Sequence, residues 1–131
     1  MKEIKIGAEL TKATIVDNMN TAAFIGSGIL DVFATLMMIA LMENASSDCL
    51  AQFLDEGETS VGTYISVSHI SATPIGMSVT ATAKIVAVNG REVELVVEAS
   101  DEKGKIGEGT HKRFVVFSEK FQAKTNSKLN A

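Results

Sequence analysis

Two polar side chains stand where the pattern of the chain calls for apolar ones. Glu43 closes the nearly apolar run from Val32 to Met42, and His69 shares the parity of Val61, Ile65 and Val67 in an alternating segment. A carboxylate in apolar surroundings can act as a nucleophile or as the base that activates water. An imidazole changes charge near neutral pH and can act as a general base or relay protons. Each residue also has a plainer reading: Glu43 as the point where a helix reaches solvent, His69 as a ring satisfied by local hydrogen bonds. Thr35 joins them. Thr35, Ile39 and Glu43 are spaced i, i+4, i+8, on one side of a helix, with hydroxyl and carboxylate about 12 Å apart along the axis. Groups that far apart do not touch; they flank a ligand or each meet a third group.

The remaining candidates are weaker. His111 has parity opposite to Phe114 and Val116 and is expected to face solvent. Two histidines and one cysteine at these spacings match no zinc pattern, so no metal is expected. Cys49 lies near a helix end with no evident base and reads as inert. Gly26-Ser27-Gly28 precedes the helix and either presents backbone N–H groups to a phosphate or is a flexible loop. No G-x-S-x-G elbow and no phosphate-binding loop of the Walker type occurs. Lys120, Lys124 and Lys128 recur every four residues, as a solvated face or as a basic rim for a polyphosphate ligand.

The elements that must position these residues follow from periodicity. Residues 8–16 read as a first strand and 17–29 as a loop. Leu30 to about Phe53 carries the only long helical pattern, with Asp31 in its first turn. Its apolar residues surround the axis on nearly all sides, which predicts a buried helix. The period then becomes two. Val61, Thr63, Ile65, Val67 and His69 form one face; Met77, Val79, Ala81, Ala83, Ile85 and Ala87 another. Asn89-Gly90 signals a hairpin, followed by Val93, Leu95, Val97 and Ala99 on one face of the return strand. Lys103-Gly104 makes a second turn, and residues 106–117 form the last strand, where Gly107 and Gly109 suggest a bulge or a close backbone approach. One helix and an antiparallel sheet with a single apolar face give an α+β architecture. The expected form is a curved sheet wrapped around one long central helix, the hotdog fold. Its open edges and partly enclosed helix predict a homodimer at least.

The chain has 131 residues, which suits one domain over 1–131 with about two-thirds of its surface buried. Apolar residues make up 46% and charged residues 21%, a globular and not a disordered composition. The net charge of −4 gives no basic footprint for duplex nucleic acid. The longest apolar run falls short of the roughly 20 residues a membrane span needs. With one cysteine and no secretory pattern at residues 1–6, a cytoplasmic protein is expected.

Five stretches carry a family resemblance: VFATLMMIALMENA (32–45), SVGTYISVSHISATPIGMSVTATAKI (60–85), VNGREVELVVEASD (88–101), IGEGTHKRFVV (106–116) and EKFQAKTNSK (119–128). In that order, from about Gly7 to Lys128, the chain resembles the fluoroacetyl-CoA thioesterase-like branch of the hotdog superfamily. The resemblance implies a homodimer, or a tetramer, that hydrolyses an acyl-CoA thioester to free acid and CoA, with no cofactor beyond the CoA of the substrate. It places the catalytic residues on Thr35, Glu43 and His69. It places a glycine near the thioester carbonyl on Gly62, so that the N–H of Gly62 or Thr63 serves the oxyanion. Binding of anionic CoA by an acidic protein calls for local cations, with Arg113, Lys112, Lys120, Lys124 and Lys128 as candidates. The family's lid before the helix bears bulky apolar residues. Here Asp17–Leu30 looks shorter and Gly/Ser-rich, with Phe24, Gly26 and Gly28 as lid residues and Phe24 the only aromatic, so fluoroacetyl specificity does not carry over. Two other functions compete. A hotdog dehydratase or hydratase would need a different histidine motif from V-S-H-I-S. A non-catalytic acyl-CoA-binding module would bind without turnover.

Overall fold

The computed structural model describes residues 1–130; the single domain expected over 1–131 has its last residue outside them. Five strands make one antiparallel sheet: β1 (Glu9–Ile15), β2 (Glu58–His69), β3 (Ser78–Asn89), β4 (Glu92–Asp101) and β5 (Gly104–Phe117). Their order across the sheet is β1-β3-β4-β5-β2, so β2, which carries His69, lies at an edge. The short helix α1 (Ala22–Ile25) and the long helix α2 (Thr35–Ala51) fall between β1 and β2. After β5 come α3 (Ser118–Asn126) and a 3₁₀ turn (Ser127–Asn130), both exposed.

The core forms where the alternating faces of β3 and β4 meet α2. Val79, Ala81, Ala83, Ile85, Val93, Leu95, Val97 and Ala99 are all buried, as their parity predicts; past a register slip between Ile85 and Ala87 that parity fails, and Val88, not Ala87, packs against the core. The hairpin between these strands turns at Gly90, whose φ of 63° suits a residue without Cβ. From α2 they receive Met38, Met42, Ala45, Cys49 and Leu50. These follow helical spacing along one stripe.

Three further expectations are corrected. The helix begins at Thr35, not Leu30, and Asp31 is not in its first turn. Val32 and Phe33 are held extended by bridges to Pro74 and Thr21, and the Phe33 and Ala34 N–H groups donate to the carbonyls of Thr73 and Asn20. Tertiary hydrogen bonds therefore override the helical pattern of the segment. Nor is α2 buried all round: within one chain Leu36 is 55% exposed and Ala40 is exposed. The third concerns β2, whose pairing with β5 slips between Gly62 and Tyr64. A bulge at Thr63 changes which residues face the helix. Ile65, Val67 and His69 keep the expected face, whereas before the bulge the inward positions are Ser60 and Gly62, not Val61 and Thr63.

Candidate active site

Thr35 is the first residue of α2. Ala34 before it is extended (φ −71°, ψ 139°), and no side chain caps the helix. The positive end of the helix dipole is thus presented beside the Thr35 hydroxyl. The segment 71–74 braces this point. Thr73 is fully buried and its hydroxyl donates to Asp101 at 2.8 Å, while its carbonyl holds Phe33. His69 ends β2 immediately before that brace. Its Nδ1 lies 2.7 Å from the Thr35 hydroxyl, and its Nε2 is buried without a partner. Burial pushes the ring below the usual imidazole range; the Ser71 carbonyl pulls the other way.

Gly107 makes this placement of His69 possible. It pairs with His69 across the β2–β5 ladder. A Cβ on Gly107 would stand 2.6 Å from Met38 Sδ and 2.7 Å from the Ser68 carbonyl. Gly109 is equally constrained, with the Ser66 carbonyl and Val67 Cα against it. Both readings of this glycine pair are realised: the backbone approaches closely at 107 and 109, and the β4–β5 pairing slips at Ile106, next to Gly107.

Glu43 lies two helical turns from Thr35 and belongs to a second polar group. A Cβ on Gly62 would stand 3.2 Å from Glu43 Oε2, 3.2 Å from His111 Cε1 and 3.6 Å from Arg113 Nη1. The absent side chain of Gly62 therefore leaves a notch lined by a carboxylate, an imidazole and a guanidinium. Within one chain, Gly62 and His69 are seven residues apart on β2, about 23 Å. The structure brings Thr35 to His69 and Glu43 to Gly62, but it does not bring the two pairs together in a single chain.

Parity misplaces His111, and the search for CoA-binding cations misplaces Arg113. His111 does not face solvent: it is 1% exposed, on the same face as Arg113 and Val115, and Phe114 is the exposed neighbour. Arg113 is 7% exposed and lies inside the fold, which removes it from any surface rim for CoA phosphates. Its Nε and Nη2 donate to the Ser60 hydroxyl and carbonyl at 2.8 and 2.9 Å. The signal that finds both residues is their shared parity with the close-approach glycines 107 and 109. Reading from Phe114 and Val116 inverted the strand.

The other candidates lie outside these two groups. Thr63 is exposed at the bulge, its hydroxyl donating to the Lys112 carbonyl at 3.2 Å. Phe24, Gly26 and Gly28 lie on exposed chain around α1, together with Ile29 (92% exposed) and Leu30 (65%). This segment is thus more apolar than its aromatic content suggests. Lys120 and Lys124 project from α3 beside Phe114, Phe117 and Phe121, and Lys120 stands 5.9 Å from the centre of the Phe117 ring. Cys49 is buried, which pushes its thiol above the usual range. No three His, Cys, Asp or Glu side chains converge as a metal site would need among the described residues. No helix among them is long and apolar enough to cross a membrane.

Comparison with known proteins adds four findings. Residues 16–119 match the family model of the fluoroacetyl-CoA-specific thioesterases. The chain is 46% identical over 101 residues to the fluoroacetyl-CoA thioesterase of Streptantibioticus cattleyicolor, an overlap of 77% of this chain and 73% of that protein. A solved structure of the fluoroacetyl-CoA thioesterase FlK superposes with a TM-score of 0.91 at 38% identity, covering 97% of this chain and 98% of the other. A thioesterase-superfamily member from Thermus thermophilus superposes with a TM-score of 0.92 at 30% identity, covering 99% and 96%.

Proposed function

The chain belongs to the fluoroacetyl-CoA-specific thioesterase family, and from that premise we propose that it is an acyl-CoA thioesterase whose site is completed across a homodimer. The observation that carries the reading is the 2.7 Å bond between Thr35 and His69. It ties the head of a helix to the end of an unpaired edge strand, with Glu43 and Gly62 left at the far end of the same strand. Antiparallel pairing of β2 with its copy, centred between Ile65 and Ser66, sets Gly62 of one chain opposite His69 of the other. Each dimer then has two sites, each built from Thr35 and His69 of one protomer and Glu43 and Gly62 of its partner. The same pairing removes the open edge and covers exposed apolar residues of α2 such as Leu36.

In such a site Glu43 either attacks the thioester carbonyl or takes a proton from the water that does. The developing oxyanion finds donors in the Thr35 hydroxyl and in backbone N–H groups at the head of α2 and at Gly62. The C–S bond then breaks and the sulfur leaves as thiolate; where water attacked, it takes up the proton held on Glu43, and where Glu43 attacked, it takes up the proton released when water opens the anhydride. If Glu43 attacked, water next opens the acyl-enzyme anhydride and restores the carboxylate. His69 orients the Thr35 hydroxyl through Nδ1 and offers its unpartnered Nε2 to the acyl group, to water or to the partner's side of the site.

The acyl group is small, held under the apolar lid of Phe24, Ile29 and Leu30, without restriction to the fluoroacetyl group of the named relatives. The nucleotide end of CoA meets Lys120, Lys124 and Arg91, which flank the exposed faces of Phe114, Phe117 and Phe121. A cytoplasmic location belongs to the same proposal. The test is free-thiol release from a panel of acyl-CoAs, short to aromatic, by wild type, Glu43→Gln and His69→Ala. Turnover of short esters that both substitutions abolish, in folded protein, is the expected result. Saturable CoA binding with no turnover of any ester would replace it with the binding-module function. Charge reversal of Lys120 and Lys124 is expected to raise KM for CoA esters.

A further inference from the structure

The notch at Gly62 holds an arrangement that hydrolysis alone does not explain. His111 Nδ1 lies 2.8 Å from the Tyr64 carbonyl. A carbonyl oxygen only accepts, so Nδ1 carries the hydrogen. His111 Nε2 lies 3.2 Å from Arg113 Nη1. A guanidinium nitrogen only donates, so Nε2 must offer a lone pair. The two contacts together fix one state of the ring: neutral, with the hydrogen on Nδ1. A proton on Nε2 would point at the Arg113 N–H. Burial, joined by the Arg113 charge, pushes the imidazole below its usual range, while the Tyr64 carbonyl and Glu43 pull it up.

Arg113 is in turn held from three sides, by the Ser60 hydroxyl, the Ser60 carbonyl and His111 Nε2. The His111 contact occupies one hydrogen of Nη1, the nitrogen nearest the notch. Glu43 Oε2 lines the same notch. Yet among the described residues the carboxylate and the guanidinium form no ion pair. An unrestrained arginine this close to a carboxylate in a half-buried site would close the gap and form bidentate hydrogen bonds. Those bonds would occupy the lone pairs that Glu43 needs in order to act.

We propose that His111 and Arg113 are a positioning pair for Glu43, in which the neutral His111 ring draws the Arg113 guanidinium back. A fixed positive charge thereby faces the carboxylate without capping it. The groups that face the pair are Glu43 from α2 and Ser60 and the Tyr64 carbonyl from β2. The inference rests on the thioesterase reading for its kinetic arm only.

The first measurement needs no variant and no substrate. Nitrogen-15 chemical shifts of the histidine rings in the wild-type protein are expected to show His111 as the neutral Nδ1–H tautomer at pH 7. A ring protonated at pH 7, or the Nε2–H tautomer, would overturn the proposal whatever the substrate proves to be. The second is a kinetic cycle on a short acyl-CoA. His111→Leu, which frees the guanidinium, is expected to lower kcat by about tenfold or more with KM changed less than about threefold. His111→Gln, which keeps a donor and an acceptor, is expected to recover most of that loss. Arg113→Met added to His111→Leu is expected to raise kcat above that of His111→Leu alone, because the group that caps Glu43 is gone. If the second substitution lowers kcat further, the pair is structural and the proposal fails.

Discussion

The Thr35 hydroxyl and the His69 ring share a single hydrogen bond, so removing either side chain strands the other at the head of α2. Thr35→Ala is expected to cost about 10²–10³ in kcat, with Thr35→Ser retaining most activity, as read from steady-state hydrolysis of a short acyl-CoA. Burial holds His69 below the ordinary imidazole value of 6.5, so the ring is neutral at pH 7. If the neutral ring is the working form, kcat/KM should be flat through neutrality and fall on an acid limb below pH 6.5. Both histidines of the chain are shifted downward, His111 as well as His69, and this has a consequence for stability. An unfolded chain takes up protons near 6.5 that the native rings refuse. The unfolded state therefore binds more protons in this window, and stability falls as pH drops from 7 through 6.5 and below, toward the native values. Urea midpoints measured between pH 7.5 and 5 should show that decline, and His111→Gln should flatten it.

At the scale of elements, the β2–β5 ladder carries the site and depends on glycine at 107. Gly107→Ala puts a methyl against buried Met38 and the Ser68 carbonyl, and only the methionine can give way. The expected cost is about 1–3 kcal/mol in urea unfolding, with a loss of activity in the protein that still folds, because His69 is the paired residue. Gly28→Ala, whose new methyl meets only Ala22 Cβ at 3.4 Å, should change stability little. The same ladder marks where the sequence is legible. Strands β3 and β4 bury a purely apolar face, so their alternation gives their orientation as far as Ile85, beyond which a register slip turns Val88 rather than Ala87 to the core. In β5 the buried face carries His111 and Arg113 while the outer face carries Phe114, so polarity points the wrong way. The bulge at Thr63 reverses parity within β2, and nothing in residues 58–69 announces it except the glycine at 62. Glu43 and His69 could be singled out because each interrupts an apolar pattern. Their partners could not, because the partners occupy a face whose polarity is set by the site. The start of α2 was hidden for another reason: Val32 and Phe33 suit a helix locally and are held extended by Thr21, Thr73 and Pro74.

For the whole molecule, the open question is whether one chain can work alone, and the geometry of β2 makes the answer measurable. Thr35 and His69 lie at one end of the strand, Glu43 and Gly62 at the other, about 23 Å away along an edge with no partner in the chain. If the site is shared, Glu43→Gln and His69→Ala each destroy every site in their own homodimer, but not in a mixed dimer. There one site combines both altered residues and the other combines two intact ones. Random reassortment at equal concentration makes half of the dimers mixed, each with one working site of two, so about a quarter of wild-type activity should return. The measurement is thiol release after the two inactive proteins are unfolded, mixed and refolded, with each refolded alone as control. Activity that stays at the level of the controls, with mixed dimers present by mass spectrometry, would place Glu43 and His69 in one and the same chain's site. Light scattering supplies the companion result. A monomer at assay concentration that is fully active would remove the shared site, whereas activity that falls with dilution in step with dissociation would support it.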